Sequence, residues 1–331
     1  MAASASPSFT IVRDNDDAGA LRRAVIAIGN FDGVHRGHRA VIGKAIARAR
    51  ALSVPAAALT LEPHPRSYFR PNDPLFRLSD ERQKLRLLAG SGLDGAIMLT
   101  FNAALASLPA SDFIERVLVG RFAVSGVVTG FDFHFGKGRE GGPAFLMASG
   151  EREGFGVALV DAFRDENAAV ISSSFIRSLL AEGDVSHAAG LLGYRYTVEA
   201  EVIDGKKLGR TLGYPTANMR LPPEAELKSG IYAVRFRRAD GSLHDGVASF
   251  GRRPTVDSDG EALLETFVFD FSADLYGEIC AVSFFGRLRD ELKFDGLEPL
   301  MVQMRKDESE ARALLAGVQP LSEIDRRLNF A

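Results

Sequence analysis

The 331-residue sequence predicts an α/β protein with two domains of different architecture. In the first half, apolar runs of strand length alternate with segments of helical periodicity, which indicates βαβ units and a mostly parallel sheet. After Gly193, strand-like segments follow at short intervals, which indicates an antiparallel sheet or small barrel, finished by helices within 296–316 and 321–329. A chain of this length also fills two hydrophobic cores more readily than one.

The parallel sheet is predicted from apolar runs that end in turns. The run Val25–Ile28 breaks at 29–33, and the segment after it carries apolar residues close to a 3.6-residue period. The segment Ser79-Asp80-Glu81 has the character of a cap and acidic first turn for a helix through Leu88, and Ser111 is expected to cap a helix over 113–118. The other predicted strands of this half span 9–12, 56–61, 96–101, 124–129 and 157–160.

Three loops of unusual composition follow predicted strands. They span 29–38, 62–66 and 130–142, and the last contains five glycines with Lys137 and Arg139 between them. Ligands of parallel sheets bind beyond the carboxyl ends of the strands, so we expect these loops to line one crevice. A Gly-rich basic loop suits a phosphate, and it is equally typical of a mobile surface loop. The alternating rings of Phe131, Phe133 and Phe135 favour a core role.

Two histidines, His35 and His38, stand at or just before the predicted start of a helix. A helix N-terminus attracts anions, and two imidazoles beside free backbone amides suit a phosphate whose charge is growing. One alternative is a capping turn with two incidental polar side chains. Another is a metal site, which requires a third ligand, and Cys280 is the only cysteine of the chain.

A run of serines at 172–174 precedes another predicted helix, with Arg177 one turn inside it. Ser172 or Ser173 is a good N-cap, and capping alone explains a bare serine run. The alternative is a phosphate cradle made of hydroxyls, backbone amides and one guanidinium.

The string GNFDGVHRGH at 29–38 closely resembles the signature of the nucleotidyltransferase superfamily, which implies a Rossmann-like domain. In that superfamily the histidines matching His35 and His38 stabilise the transition state at the nucleotide α-phosphate. The segment ISSSFIR resembles the superfamily's triphosphate-gripping segment, although Ser174 replaces the usual Thr and Phe175 stands where Arg is common. The resemblance implies nucleotide-binding roles for Gly29, Asn30, Phe31, Asp32, Ser173, Ser174 and Arg177.

The second half carries three further strings of interest. In GRTLGYPTANM, Thr216 and Asn218 are expected to bracket a turn, where their oxygens suit Mg²⁺; a Pro-turn with local hydrogen bonds is the alternative. Glu265 lies in an apolar predicted strand with Leu263 and Phe267 on the same face. Most such glutamates point to solvent, but partial desolvation here would suit a general base. The string RLRDELKF at 287–294 is expected to form a charged loop.

These strings, in this order, closely resemble the flavokinase domain, a six-stranded antiparallel barrel that phosphorylates riboflavin. The resemblance implies that Glu265 is the base and that Thr216 and Asn218 bind Mg²⁺. The chain departs from the pattern at 249–255, where SFGRRPT lacks the usual Asn-Ile, and at Phe267, where His is common. The resemblance to the flavokinase domain further implies nucleotide contacts at Gly209 and Arg210 and flavin contacts at Arg289 and Glu291.

Taken together, the two halves resemble the prokaryotic bifunctional riboflavin kinase/FAD synthetase family. The implied domains are a tail and first strand at 1–20, an FMN adenylyltransferase at 21–186 and a riboflavin kinase at 187–331. The implied reactions convert riboflavin to FMN and then FMN to FAD, with ATP as co-substrate, Mg²⁺ as cofactor and pyrophosphate as the second product. The implied flavin contacts in the first domain are Pro63, His64, Asp132 and Phe135.

Composition limits the other classes of function. A net charge of −3 gives no footprint for nucleic acid or an anionic membrane, and no apolar run approaches the length needed to cross a bilayer. The first residues lack the features of a secretory signal, so we expect a cytoplasmic protein, and a weak homo-oligomer is left open. Two other hypotheses stand: a nucleotidyltransferase for another substrate with an unrelated β-domain, and a flavin- or nucleotide-binding regulator without turnover.

Overall fold

The computed structural model describes residues 9–205, 213–253 and 261–331. The chain divides into two compact units, Met1–Ser173 and Ser174–Ala331, and each is described by itself. The first contains a parallel sheet flanked by helices and the second a closed antiparallel barrel, so the predicted α/β fold class is confirmed.

The first unit contains a six-stranded parallel sheet in the order β1-β4-β3-β2-β5-β6. Its central strand β2 is buried along its whole length, as expected of a strand covered on both faces. The predicted strands all exist, with ends shifted by one or two residues. Their bounds are β1 Thr10–Arg13, β2 Val25–Ile28, β3 Ala56–Glu62, β4 Gly95–Thr100, β5 Gly126–Gly130 and β6 Gly156–Val160.

Helices α1 to α4 of the first unit begin at polar side-chain caps that the sequence provides. His35 caps α1, and Asp80 with Gln83 forms a capping box at α3. The predicted cap at Ser111 is wrong: the helix begins after Pro109, places Ser111 inside its first turn, and continues as a π-helix at Phe113–Arg121. The α-helices are α1 Arg36–Leu52, α2 Pro65–Phe69, α3 Glu81–Gly90, α4 Ala103–Ala106, α5 Ala110–Asp112 and α6 Pro143–Glu153.

The second unit begins with two helices, α7 Ser173–Glu182 and α8 Val185–Leu192. The division between the units falls after Ser173, so the first residue of α7 belongs to the first unit. Its strands close into a barrel in the order β10-β11-β8-β7-β12-β9, and every pair is antiparallel. The strands are β7 Thr197–Ile203, β8 Thr216–Arg220, β9 Gly230–Arg237, β10 Leu243–Arg253, β11 Glu261–Val268 and β12 Ile279–Arg289.

Strand β8 corrects the prediction of a turn between Thr216 and Asn218. Both residues lie on this strand, which begins at Thr216, after the turn. Part of the predicted charged loop at 287–294 is also strand, because β12 extends to Arg289. Two polar residues that stand two positions apart after Pro215 have the spacing of a turn as well as of one face of a strand.

Two terminal helices, α9 Leu297–Ala316 and α10 Glu323–Asn329, complete the second unit. Ala311 and Leu315 of α9 pack on the outer face of the barrel, against Ala233, Phe269 and Phe285. At α10, Asp325 is fully buried and forms an ion pair with Arg195, while its Oδ1 also accepts the Arg195 backbone N–H at 3.0 Å. This charge pair joins the C-terminal helix to the start of the barrel.

No helix within the described ranges is long and apolar enough to cross a membrane.

Candidate active sites

The loop at 29–34 has a strained backbone that its buried side chains hold in place. Phe31 and Val34 adopt positive φ angles of 49° and 36°, and both side chains are fully buried. The carboxylate of Asp32 is buried, and its Oδ1 accepts the backbone N–H groups of Leu78 and Ser79 at 2.9 and 3.2 Å. Asp32 therefore shapes the loop by binding it to the segment before α3.

The two histidines form one rigid pair at the N-terminus of α1. Their rings stack with centroids 3.6 Å apart and planes 17° from parallel. The Phe31 ring stands edge-on to the His38 ring, with ring centroids 5.3 Å apart. His35 is also the N-cap of the helix, because its Nδ1 accepts the backbone N–H of His38 at 3.3 Å. The capping alternative is thus correct for His35, and it coexists with a paired arrangement that capping alone does not require.

These contacts favour one tautomer for each ring. Nδ1 of His35 accepts a hydrogen bond, so its proton lies on Nε2. Nδ1 of His38 is buried and has no hydrogen-bond partner among the described residues, and a proton there would be an unsatisfied buried donor. We therefore assign Nε2–H to both histidines, which gives two donors on nearly parallel rings.

The electrostatic surroundings keep His38 uncharged. Burial of the ring, followed by the nearby charges of His35 and Lys84, lowers the pKa of His38 well below its usual value of 6.5. At neutral pH the ring is therefore a neutral hydrogen-bond donor. As a neutral donor, His38 can stabilise a phosphate oxygen without the cost of burying an imidazolium.

The serine segment falls across the division between the units. Ser173 Oγ donates to the backbone carbonyl of Asp32 at 3.0 Å, which connects it to the histidine loop. In the second unit, Arg177 donates to Ser174 Oγ at 3.3 Å. Phe175 stands edge-on to His187, with ring centroids 5.7 Å apart.

The loop at 62–66 leads into the short helix α2. His64 is its N-cap and accepts the backbone N–H of Arg66 at 3.1 Å, and Pro65 occupies the first helical position, where its missing N–H costs nothing. Pro63 is exposed and His64 half-buried.

The loop at 130–142 divides into an exposed and a buried part. Phe133 and Phe135 stack with centroids 5.5 Å apart and join the core beside Phe113. The core prediction is wrong for Phe131, whose side chain is 49 % exposed, and Asp132 is also exposed. The candidate flavin contact Phe135 thus packs mainly in the core, while Asp132 is open to solvent.

The sheet order explains why these loops converge. Strands β3, β2 and β5 are neighbours, so the three loops that follow them leave from adjacent carboxyl ends. The chain proceeds from β2 to one side of the sheet and from β5 to the other, which makes the β2–β5 boundary a topological switch point. Ligand sites of open parallel sheets form at this position. Gly29, Asn30 and the histidines all follow β2 there.

A network of charged side chains, which was not predicted from the sequence, supports the histidine loop at 29–34. Lys84 of α3 is fully buried, and its Nζ lies 3.2 Å from Glu62 Oε2. Glu62 also accepts two hydrogen bonds from Arg77, at 2.8 and 3.1 Å. The helical spacing of Lys84 with the buried Leu87 and Leu88 is the signal that places Lys84 on the inner face.

In the barrel, Glu265 shares one face with the candidate metal ligands. It is the direct cross-strand partner of Asn218 on β8 and of Ser249 on β10. Thr266, its neighbour in sequence, is fully buried, whereas Phe267 packs on the outer cluster that includes α9. Alternation along the strand therefore places Glu265 on the outer face, where it is half-buried as expected.

The side chain of Asn218 has an unused acceptor. It is 4 % exposed, its Nδ2 donates to the Thr216 carbonyl at 3.1 Å, and its Oδ1 is buried without a hydrogen-bond partner among the described residues. Gly205 lies so close that a Cβ there would stand 2.7 Å from Oδ1. The Thr216 hydroxyl lies 3.4 Å from Asn218 Nδ2, so Oδ1 is the atom of Asn218 that keeps an unused acceptor, and an amide oxygen of this kind fits a hard cation such as Mg²⁺.

The remaining candidates are placed as follows. Arg289, at the end of β12, donates from Nε to Asp307 Oδ1 at 2.8 Å and is held by this buried carboxylate. Glu291 is exposed, and its carboxylate lies beside Gly251 of β10. Gly209 and Arg210 lie outside the described residues.

The two units define the class of protein: a transferase with one domain for nucleotidyl transfer and one for phosphoryl transfer. The family described as FAD synthetase matches residues 17–175, and the family described as riboflavin kinase matches 192–315. The chain belongs to the family of bifunctional riboflavin kinase/FMN adenylyltransferases. It therefore has both activities, with FMN and FAD as their products.

The similarity extends over most of the chain. A Pseudomonas fluorescens relative is 40 % identical over 295 residues, covering 89 % of this chain and 94 % of the relative. An Escherichia coli K12 relative is 36 % identical over 296 residues with the same coverage, and both are named bifunctional riboflavin kinase/FMN adenylyltransferase. A solved Streptococcus pneumoniae structure, titled as a macrolide-efflux protein, is 30 % identical with a TM-score of 0.82, covering 91 % of this chain and 98 % of that one.

Proposed function

We propose that adenylyl transfer takes place at the β2–β5 switch point and that His35 and His38 stabilise its transition state. The observation that carries this proposal is the stacked histidine pair, with an assigned N–H donor on each Nε2. An oxygen of the FMN phosphate attacks the α-phosphorus of ATP, and the bond to pyrophosphate breaks. The attacking oxygen is already anionic at neutral pH, so no general base is needed.

In this reaction the protein contributes alignment and charge stabilisation. The two Nε2–H donors act on oxygens of the α-phosphate, and Asp32 keeps the histidine loop in its strained shape. Ser173 supports the same loop through its bond to the Asp32 carbonyl. Ser174 and Arg177 are assigned to the triphosphate, and the loops that follow β3 and β5 are assigned to the flavin.

Phosphoryl transfer is assigned to the outer face of the barrel, with Glu265 as the general base. The carboxylate removes the proton from the ribityl 5′-hydroxyl of riboflavin as that oxygen attacks the γ-phosphorus of ATP. An alcohol is a poor nucleophile, and a positioned base is expected to contribute about 100- to 10,000-fold to the rate. The cross-strand position of Glu265 beside Asn218 supports this assignment.

Thr216 and Asn218 are the residues that would hold Mg²⁺, which when bound neutralises charge on the phosphates of ATP. The buried and unpartnered Oδ1 of Asn218 supports this role. Gly209 and Arg210 are assigned to the nucleotide, and Arg289 and Glu291 to the flavin.

Kinase chemistry comes first, because its product FMN is the substrate of adenylylation. The enzyme is proposed to act in the cytoplasm, where ATP is available, with the sequence boundary between its domains at 186–187 and at most weak self-association. Incubation of the full chain with riboflavin and Mg-ATP, followed by chromatography of the flavins, tests the whole scheme. Wild type is expected to give FAD, His38→Asn to stop at FMN, and Glu265→Gln to leave riboflavin unconverted.

A further inference from the structure

Lys84 is a fully buried cation for which the reaction scheme has no role. Its Nζ lies 3.2 Å from Glu62 Oε2, 3.4 Å from the Leu61 carbonyl and 3.5 Å from Thr60 Oγ1. Three acceptors thus surround the three donors of the ammonium group. A lysine is almost never fully buried unless it is paired, so its position needs an explanation beyond packing.

The contact with Thr60 connects Lys84 to the loop of the histidines. Thr60 is itself fully buried, and its hydroxyl donates to the backbone carbonyl of Asn30 at 3.0 Å. A hydroxyl that donates to Asn30 is oriented to accept from Lys84. The ammonium group therefore bonds through one hydroxyl to the second residue after β2, inside the signature loop.

Two carboxylates balance the positive charges of Lys84 and Arg77. Glu62 bridges Lys84 and Arg77, and Arg77 Nε lies 3.8 Å from Asp32 Oδ1. Two cations and two carboxylates therefore alternate from Lys84 of α3 to Asp32 within the loop. Because each is held by at least one partner, the arrangement resists a shift of the loop when a charged substrate binds.

We propose that Lys84 is a positioning residue for adenylyl transfer, which fixes the Asn30 end of the histidine loop through Thr60 and places a positive charge in the support of that loop. This inference rests on the proposed role of His38. After burial of the ring, the charges of His35 and Lys84 lower the pKa of His38, so loss of the Lys84 charge is expected to raise it.

The test uses the full-length enzyme with Lys84→Met, which keeps the length of the side chain and removes its charge. We expect kcat for conversion of FMN to FAD to fall about tenfold or more, because the loop loses its support. Riboflavin kinase activity of the same protein should stay close to wild type. The His38 imidazole signal, assigned by its loss in His38→Asn, should titrate at higher pH than in wild type.

Lys44→Met is the matched control, because Lys44 is an exposed lysine on α1, and it should change neither kcat nor the His38 titration. Thr60→Val removes only the hydroxyl relay, so it should lower kcat and leave the titration of His38 as in wild type. If Lys84→Met does not fold in the first unit, this second variant decides the positioning role.

The proposal would be overturned if Lys84→Met or Thr60→Val formed FAD with the wild-type kcat. It would also be overturned if the His38 titration were unchanged in a folded Lys84→Met protein. Failure of the underlying assignment is separable. If His38→Asn itself keeps its FAD-forming activity, the proposed role of the histidine is wrong whatever the Lys84 variant does.

Discussion

Glu265 and Asn218 stand directly opposite each other in the antiparallel pair of β11 and β8, and their side chains share the outer face of the barrel. Directly opposed side chains have Cβ atoms about 4.5–5.5 Å apart. A carboxylate and an orphaned amide oxygen are thus adjacent although 47 positions separate them in the sequence. The pairing places a candidate base and a candidate metal ligand within reach of one phosphate group.

Replacing Glu265 by Gln is expected to reduce kcat for riboflavin phosphorylation by about 100-fold or more, because the amide cannot accept the hydroxyl proton. FAD formation from supplied FMN should be unaffected, and steady-state assays of each half-reaction measure both. Glu261→Gln, on the same strand, is the control and should retain kinase activity. A Glu265→Gln enzyme with full kinase activity would remove this residue from the mechanism.

Replacing Asn218 by Ala is expected to raise the Mg²⁺ concentration needed for half-maximal kinase activity, because one hard oxygen is lost. The Mg²⁺ requirement of FAD formation from FMN should stay as in wild type, which makes the second reaction the internal control. Titration of both reactions with MgCl₂ in metal-stripped buffer measures the effect. Equal Mg²⁺ dependence of variant and wild-type kinase reactions would argue against Asn218 as a ligand.

Replacing His38 by Asn is expected to lower kcat for adenylyl transfer by about 100-fold, the typical cost of one lost donor to a developing charge. Kinase activity should persist, so riboflavin and ATP should yield FMN that accumulates. His244→Asn, on the barrel strand β10, controls for the loss of a histidine elsewhere. Normal FAD production by the His38 variant would contradict the proposed site.

The ion pairs of Glu62 predict an acid limit to the stability of the first unit. Burial favours the neutral carboxyl, but hydrogen bonds and charges from Arg77 and Lys84 outweigh it and hold the pKa of Glu62 below its ordinary 4.5. The folded form therefore binds this proton more weakly than the unfolded form. The contribution should be complete above pH 4.5 and decrease as the pH falls through the lowered folded value.

Urea unfolding of wild type and Glu62→Gln measures this contribution. Wild type should be the more stable near neutral pH, and the difference should shrink in acid. A difference that is independent of pH would show that Glu62 acts by packing rather than by charge.

Removing Asp325 should destabilise the second unit. Asp325→Ala would leave the Arg195 guanidinium without its buried partner, a loss that typically costs about 3–5 kcal/mol. Glu323→Ala, at an exposed position of the same helix, should change the unfolding free energy by about 0.5 kcal/mol or less. Denaturant unfolding, followed by far-UV circular dichroism, distinguishes the two outcomes.

Most of the fold could be predicted because its strands and helices have clear periodicity. All six strands of the parallel sheet and both terminal helices were expected, because apolar runs between turn residues specify them locally. Strand β8 was missed because its polar residues Thr216 and Asn218 face outward in a short strand next to a proline. Its identity depends on pairing with β11 and β7, which no local pattern contains.

The candidate sites were predictable to the extent that they lie in continuous strings. His35 and His38 are neighbours in the sequence, so their pairing follows from helix geometry. The contacts of Lys84 with Glu62 join residues 22 positions apart on different elements, and they become visible only when α3 packs on β3. The resemblance to known families predicts the roles of residues at motif positions, but it does not predict such supporting contacts outside the motifs.

The alternation along β11 also has a genetic consequence. Leu264 and Thr266 face the barrel interior and Glu265 faces outward. Successive side chains of a strand point to opposite faces, so the position of a residue along β11 decides whether its side chain faces inward or outward. One codon inserted before Glu265 would rotate the carboxylate into the barrel interior, although the composition of the strand would barely change. Kinase function in this family should therefore tolerate many substitutions in β11 but no single-codon insertion or deletion upstream of Glu265 within the strand.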